Sequence, residues 1–246
     1  MPRWSPSGIQ ESVPPPIRFD PSQPLDPTKA RLLSSAEVLL TERGVNGMSI
    51  RALAASAGTS VSAAHYHFGS KFALVAALFE ARLAPINASR LAGLEARLAE
   101  SAPAPPSLEA VLEAFVRPSF EAWRSGEAMG RTATPHLLAQ LHADRCPDLE
   151  DLKKRLFEPV FGRYLEVVAE ILPDQSLSSL RVGLAYVSGL LLHTVGGHID
   201  LAVRREGKPA SFEESDEALL RYLVNFAASG LRSAGALASH QEGVGE

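Results

Sequence analysis

The residues of this chain whose types and spacing could do chemistry fall into two sets. The first is a run of small, hydroxyl-bearing, basic and aromatic residues between Ser49 and Lys71. The second is scattered: His136, His142, Cys146, His193 and His198, with acids between Asp144 and Asp151. Metal binding or acid–base catalysis is the chemistry the second set would do, but its spacing is poor. A helical zinc pair needs histidines at i and i+4 on one face. His193 and His198 are five apart and His136 and His142 six apart. No Gly-x-Ser-x-Gly nucleophile turn, phosphate-cradling glycine loop or Cys-x-x-Cys pair occurs. A helical enzyme or a metal sensor is therefore the minor reading, and solvated or core histidines are the simpler account of these residues.

The first set reads as two short helices joined by a glycine turn. Ser49 caps the first, and Ile50, Leu53, Ala54 and Ala57 recur on one face. Gly58 ends it, because a residue without Cβ enters the left-handed region at little cost, and Thr59 or Ser60 caps the next helix. At about 100° per residue, Val61, Ala64 and Phe68 form a packing side while Ser62, Ala63 and Tyr66 point away, with His65 on the boundary. This is a helix-turn-helix, and a helix of this size fits the major groove of DNA. The candidate DNA-contacting residues are Ser49, Arg51, Thr59, Ser60, Val61, Ser62, Ala63, His65, Tyr66, His67 and Lys71. His65, Lys71 and the free amides of the helix that Ser70 caps suit phosphates, which position a protein without specifying sequence.

Other elements must hold this pair in place. Asp26-Pro27 opens a helix whose stripe of Leu32, Leu33, Ala36, Leu39 and Leu40 runs to Arg43-Gly44. From Ser70 a long helical pattern extends to the Pro103–Pro106 loop, with a bend expected at Pro85. Further helices are expected near 107–125, 127–143, 149–172, 176–201 and 213–234, and strand-like alternation is absent. The expected fold is all-α: a Pro-rich arm (1–25), a helix-turn-helix domain (26–85, motif about 49–68), a larger helical effector-binding and dimerisation domain (86–236) and a tail (237–246). The arm holds seven of the eighteen prolines and reads as disordered.

Charge supports that division. The chain carries −4 overall, yet residues 26–82 hold six Lys/Arg against four acids, and residues 83–246 hold sixteen against twenty-two. A slightly basic end suits DNA, while an acidic remainder argues against a nonspecific architectural protein that wraps it. One cysteine in 246 residues excludes a disulfide framework. An N-terminus without an apolar run, and an apolar stretch at Val182–Val195 too short for a bilayer, lead to the expectation of a cytoplasmic protein with no membrane span.

The run His65-Tyr66-His67-Phe68-Gly69-Ser70-Lys71, with Thr28–Met48 before it and Phe72–Leu83 after it, resembles the tetracycline-repressor (TetR) family of bacterial transcriptional regulators. His65 stands where that family usually has tyrosine, and Tyr66 follows one residue later; Asn-Tyr-His-Phe variants are the nearest match. The resemblance implies a homodimeric DNA-binding repressor that a small molecule releases from its operator, with the last two helices pairing across the dimer. More weakly, Ile86–Leu91, Phe115–Pro118 and Leu191–Thr194 are similar to a fatty-acid-responsive branch, which implies a fatty acid or acyl thioester as effector.

The residues themselves offer an apolar lining for such a ligand. Phe115, Phe120, Trp123, Phe157, Phe161 and Tyr164 recur at helical spacing, with Met129, His136 and His193 as further candidates. Each aromatic residue, taken singly, is more simply core. A dimer also follows from the reader's size, since one short helix reads few base pairs and a two-fold pair sets two of them about 34–36 Å apart on a palindrome.

Overall fold

The computed structural model describes residues 26–125, 147–195 and 216–239, and every element in them is helical. The elements are α1 (Pro27–Gly47), α2 (Ile50–Ser56), α3 (Val61–Phe68), α4 (Lys71–Ser101), α5 (Leu108–Ser125), α6 (Pro147–Ile171), α7 (Leu177–Val195) and α8 (Asp216–Ser239). The helix expected at 127–143, the continuation of α7 towards residue 201, the N-terminal arm and the tail lie outside the described residues.

Local chemistry explains where the first helices begin. Asp26 caps α1, its Oδ1 accepting from the Thr28 and Lys29 amides at 2.9 and 3.1 Å, and Pro27 occupies the first turn, where no amide is needed. Gly44, at φ 68°, interrupts α1 near the expected stop, and a short turn carries it on to Gly47. α4 runs through Pro85 as one 31-residue helix, so the proline does not end it. Pro85 is exposed, and water can satisfy the Ala81 carbonyl that loses its i+4 donor.

Two apolar cores result. The first joins Leu32, Leu33, Ala36, Leu39 and Leu40 of α1 to Leu53, Phe68 and the first half of α4, from Leu74 to Ile86. Leu149 and Leu152 of α6, both fully buried, belong to this same core. The second gathers Leu94 of α4 with α5, the rest of α6, α7 and α8. α4 thus contributes to both cores, lying against α1, α5 and α6, while α8 packs on α5 and α7. α4 has the length and hydropathy of a membrane-crossing helix, but its apolar residues fill these cores.

One buried ion pair fastens α1 to α4. Glu37, 2% exposed, accepts from Arg82 Nε at 3.1 Å through both oxygens and also from an Arg82 terminal nitrogen. Near the other core, exposed clamps link helices far apart in sequence: Arg117 with Glu217, Arg163 with Glu95, and Arg232 with Glu109. Such exposed pairs contribute little each.

Candidate nucleic-acid interface

The turn between α2 and α3 is built from hydroxyl caps and one glycine. Ser49 Oγ accepts from the Ala52 amide at 3.1 Å, Ser60 Oγ from Ala63 at 3.0 Å and Ser70 Oγ from Ala73 at 3.0 Å, so each of three successive helices starts on a serine. Ser60, not Thr59, caps α3. Gly58 has φ +61° and Gly69 φ +72°, which places a glycine in the left-handed region before and after the recognition helix.

On α3, Val61, Ser62, His65 and Tyr66 are exposed, Ala63 and His67 are half-buried, and Ala64 and Phe68 are buried. The exposed four span about 140° of the helix, at ~100° per residue. Val61 therefore belongs to the outward face, at 40% exposure, against the expectation that it packs. It lies only about 20° round the helix from Phe68 and 40° from His65, at the boundary, and in the first turn. Tyr66 is the most prominent member at 87% exposure.

Several expected contact residues have other partners. His67 turns towards α1, its Nε2 3.6 Å from Asp26 Oδ1, and its ring is mostly covered. The Asp26 carboxyl is held below its ordinary range, first by the Lys29 amide and further by the Thr28 amide and His67. Lys71 Nζ donates to the Val45 carbonyl at 3.0 Å, which ties the start of α4 to the end of α1. His67 and Lys71 thus brace the reader, although Lys71 retains two more N–H donors. Ser49 and Ser60 are caps, Thr59 is half-buried in the turn, and Arg51 is exposed on α2.

His65 is oriented by its own helix. Its Nδ1 lies 2.9 Å from the carbonyl oxygen of Gly69, an acceptor, so the Nδ1 proton donates there and Nε2 is left as the outward atom. In the neutral ring Nε2 accepts a hydrogen bond, from a cytosine or adenine amino group for example; in the imidazolium it donates, as a phosphate requires.

The expected effector residues divide. Phe115 packs edge-on against Phe161 and Tyr164, with ring centres 5.6 and 5.1 Å apart, and Phe157 meets Phe161 at 6.4 Å. Phe120 and Trp123 form a separate pair at 5.3 Å. Phe115, Phe120 and Tyr164 are buried as core. His193 is exposed, not interior: it borders an open, largely apolar groove of about 870 Å³ between α7 and α8, together with Val182, Tyr186 and Phe226. Met129 and His136 lie outside the described residues, as do His136's would-be companions His142 and Cys146. Among the described residues no cluster of three His, Cys, Asp or Glu is arranged to hold a metal.

Residues 32–78 match the family described as bacterial regulatory proteins, tetR family, and residues 113–230 match the tetracyclin repressor-like C-terminal domain. No curated protein sequence matches the chain. Many solved structures share the fold at low identity, and three illustrate it. PfmR, a TetR family transcriptional regulator from Thermus thermophilus, is 18% identical, with a TM-score of 0.53 over 81% of this chain and 97% of its own. FadR, a fatty acid degradation regulator from Bacillus halodurans, is 14% identical, with a TM-score of 0.53 over 85% and 96%. A mutant HlyIIR, with its residues 170–185 replaced by alanine, is 16% identical, with a TM-score of 0.54 over 80% and 93%. The capped helix-turn-helix, the helical core behind it and both family matches lead to one assignment: the chain belongs to the TetR family of DNA-binding transcriptional regulators, which are not enzymes.

Proposed function

We propose that this regulator is a homodimeric repressor that reads a palindromic operator through the outward face of α3 and leaves it when a small apolar effector enters the C-terminal helices. The observation that carries this reading is the set of four exposed side chains, Val61, Ser62, His65 and Tyr66, on one face of a helix capped at both ends. Ser62 and Val61 are small enough to let the backbone approach base edges, Tyr66 and His65 reach further, and Arg51 with the open amides at the start of α4 meets phosphates. Residues 26–85 serve as the reading unit and 86–236 as the effector and dimer unit.

The outer faces of α7 and α8 support the dimer. Val182, Tyr186, Tyr222 and Phe226 are exposed there at 49, 70, 61 and 58%, and Tyr222 stacks on Phe226. A Cβ at Gly183 would overlap Leu231, so glycine lets these two helices close on each other. A second copy covering this face removes the apolar patch from water. The aromatic cluster around Phe115, and the likeness of the fold to a fatty acid degradation regulator, support an effector with an acyl body, a fatty acid or its thioester. Release then requires tighter binding to the form that leaves DNA, since about 5.5 kcal/mol of preference moves an equilibrium from 1:99 to 99:1. A protein with this role works in the cytoplasm.

Selection of bound sequences from random duplex DNA, at a fixed salt of roughly 150 mM so that counterion-driven affinity does not dominate, tests the reading. An inverted repeat bound by an even number of chains supports it. Enrichment of no sequence refutes it.

A further inference from the structure

The least hydrated arginine of the described chain is one without a carboxylate. Arg117, Arg163 and Arg232 sit at the surface, and each meets a glutamate. Arg90, on α4, is 6% exposed, and its partners are all neutral. Its Nε donates to the Phe115 carbonyl at 2.9 Å, one terminal nitrogen to Asn87 Oδ1 at 3.1 Å and the other to Ser119 Oγ at 2.8 Å. The guanidinium also lies over the Phe115 ring, 4.3 Å from its centre. Asn87 and Ser119 are themselves buried. Burial pulls the Arg90 pKa down to about 10, which leaves the group cationic at neutral pH.

A guanidinium has five N–H donors. Three are engaged, so each terminal nitrogen retains one further N–H without an acceptor among the described residues. Buried charges are ordinarily paired, because neutral acceptors and an aromatic face replace only part of the lost hydration. Two donors on adjacent nitrogens of a planar cation match the two oxygens of a carboxylate.

We infer that Arg90, with Asn87 and Ser119 beside it, is the anion-recognising end of the effector site, and that the effector is an apolar carboxylic acid, not its ester or thioester. The inference rests on the effector reading above and narrows it. Phe115 covers one face of the guanidinium, and Phe161 and Tyr164 pack on Phe115, which extends apolar surface suited to the body of such an acid away from the charge. The same arginine sits where three helices are tied together. It holds α4 to α5 through Phe115 and Ser119, Asn87 Nδ2 donates to the Leu156 carbonyl of α6 at 2.7 Å, and the Tyr164 hydroxyl donates to the Arg90 carbonyl at 2.8 Å. A carboxylate that draws the guanidinium away from Ser119 and Asn87 loosens these ties on the helix that begins beside α3.

The test uses the full chain, saturated fatty acids of eight to eighteen carbons, and the matching primary alcohols and coenzyme A thioesters. Binding is read by the shift in melting temperature, and operator release is read separately on the selected duplex. The acid binds at least about 10-fold more tightly than its alcohol, as charge-assisted hydrogen bonds to a buried cation require. R90Q removes that preference, while R90K, which keeps the charge and loses the fork, retains part of it. Equal binding of acid and alcohol to the wild-type chain, or no acid binding at saturation, overturns the inference without reference to whether the variants fold. Operator release by a thioester or alcohol that binds as tightly as the acid overturns the anion site and leaves the effector reading standing. Acid binding that depends on Arg90 but releases no operator keeps the site and removes the release mechanism.

Discussion

The two cores of this protein are specified in different ways. Around α2 and α3 the chain relies on short-range rules: three serine caps, two glycines at positive φ and an apolar face every third or fourth residue. Around Arg90 it relies on contacts between residues 25 to 74 positions apart, namely Phe115, Ser119, Leu156 and Tyr164. Local rules suit a reader that must present one rigid face to DNA. Long-range contacts suit a sensor whose helices must shift against one another. α4 belongs to both cores, and α6 places Leu149 and Leu152 in the reader's core, so a change in the second region has two routes to the first.

The sharpest way to break this contrast is to cut one large residue from each core. Phe68→Ala and Phe115→Ala both remove the ring of a residue only 2% exposed or less, and each costs about 3–5 kcal/mol of unfolding free energy in urea melts. Phe68→Ala also releases α3 from its support and abolishes operator binding even where the rest of the chain stays folded. Phe115→Ala, at conditions where it is folded, leaves operator affinity within a few-fold. Equal loss of DNA binding in both would mean that the two cores do not act separately.

Next in size is the buried pair that joins α1 to α4. Glu37→Gln leaves Arg82, which is partly exposed and can be rehydrated, so the loss falls below that for a fully buried partner, at about 1–3 kcal/mol. It also loosens α4 against the reader. Smaller again are the caps and turns. Ser60→Ala costs ~1 kcal/mol through the lost bond to the Ala63 amide, and Gly58→Ala costs roughly 1–2 kcal/mol because alanine resists the left-handed region. By contrast, Ser62→Ala leaves stability within about 0.5 kcal/mol, as an exposed substitution should, and any change it makes appears in sequence preference.

The smallest effect is a pH dependence at the start of α1. Asp26 has a carboxyl pKa depressed below its ordinary 3.8, so its contribution is fully present above that value and fades as pH falls through the lower, folded-state value. Asp26→Asn keeps a cap but flattens this acid limb of the stability curve, a difference that melting temperatures across the acid range will resolve.

The reader was almost wholly legible in the sequence because its determinants sit within four residues of what they act on. Ser49, Ser60, Ser70, Gly58 and Asp26-Pro27 all took their expected places. Short-range rules do not show which of its side chains also hold the fold: Lys71 meets the Val45 carbonyl and His67 approaches Asp26, 26 and 41 residues away. In the effector half, helix positions near 107–125 and 149–172 emerged from periodicity, whereas the ligand end did not. The signal was present: Arg90 falls between Leu83, Ile86 and Leu94 on an apolar stripe, just as Glu37 falls between Leu33 and Leu40. A charge on such a stripe announces a buried partner, yet which partner depends on tertiary packing that spacing does not encode. His193 shows the reverse case, an apolar setting in sequence that turns out to border an open groove.

The central claim, that the face of Val61, Ser62, His65 and Tyr66 reads the operator, is tested most directly by repeating the selection from random duplex DNA with Ser62→Asn and Tyr66→Ala beside the wild-type chain. The account predicts altered preference at a few positions placed symmetrically in both half-sites, with affinity for the wild-type site reduced by about 1–3 kcal/mol per half-site and spacing unchanged. An unchanged motif bound with unchanged affinity by both variants would contradict it.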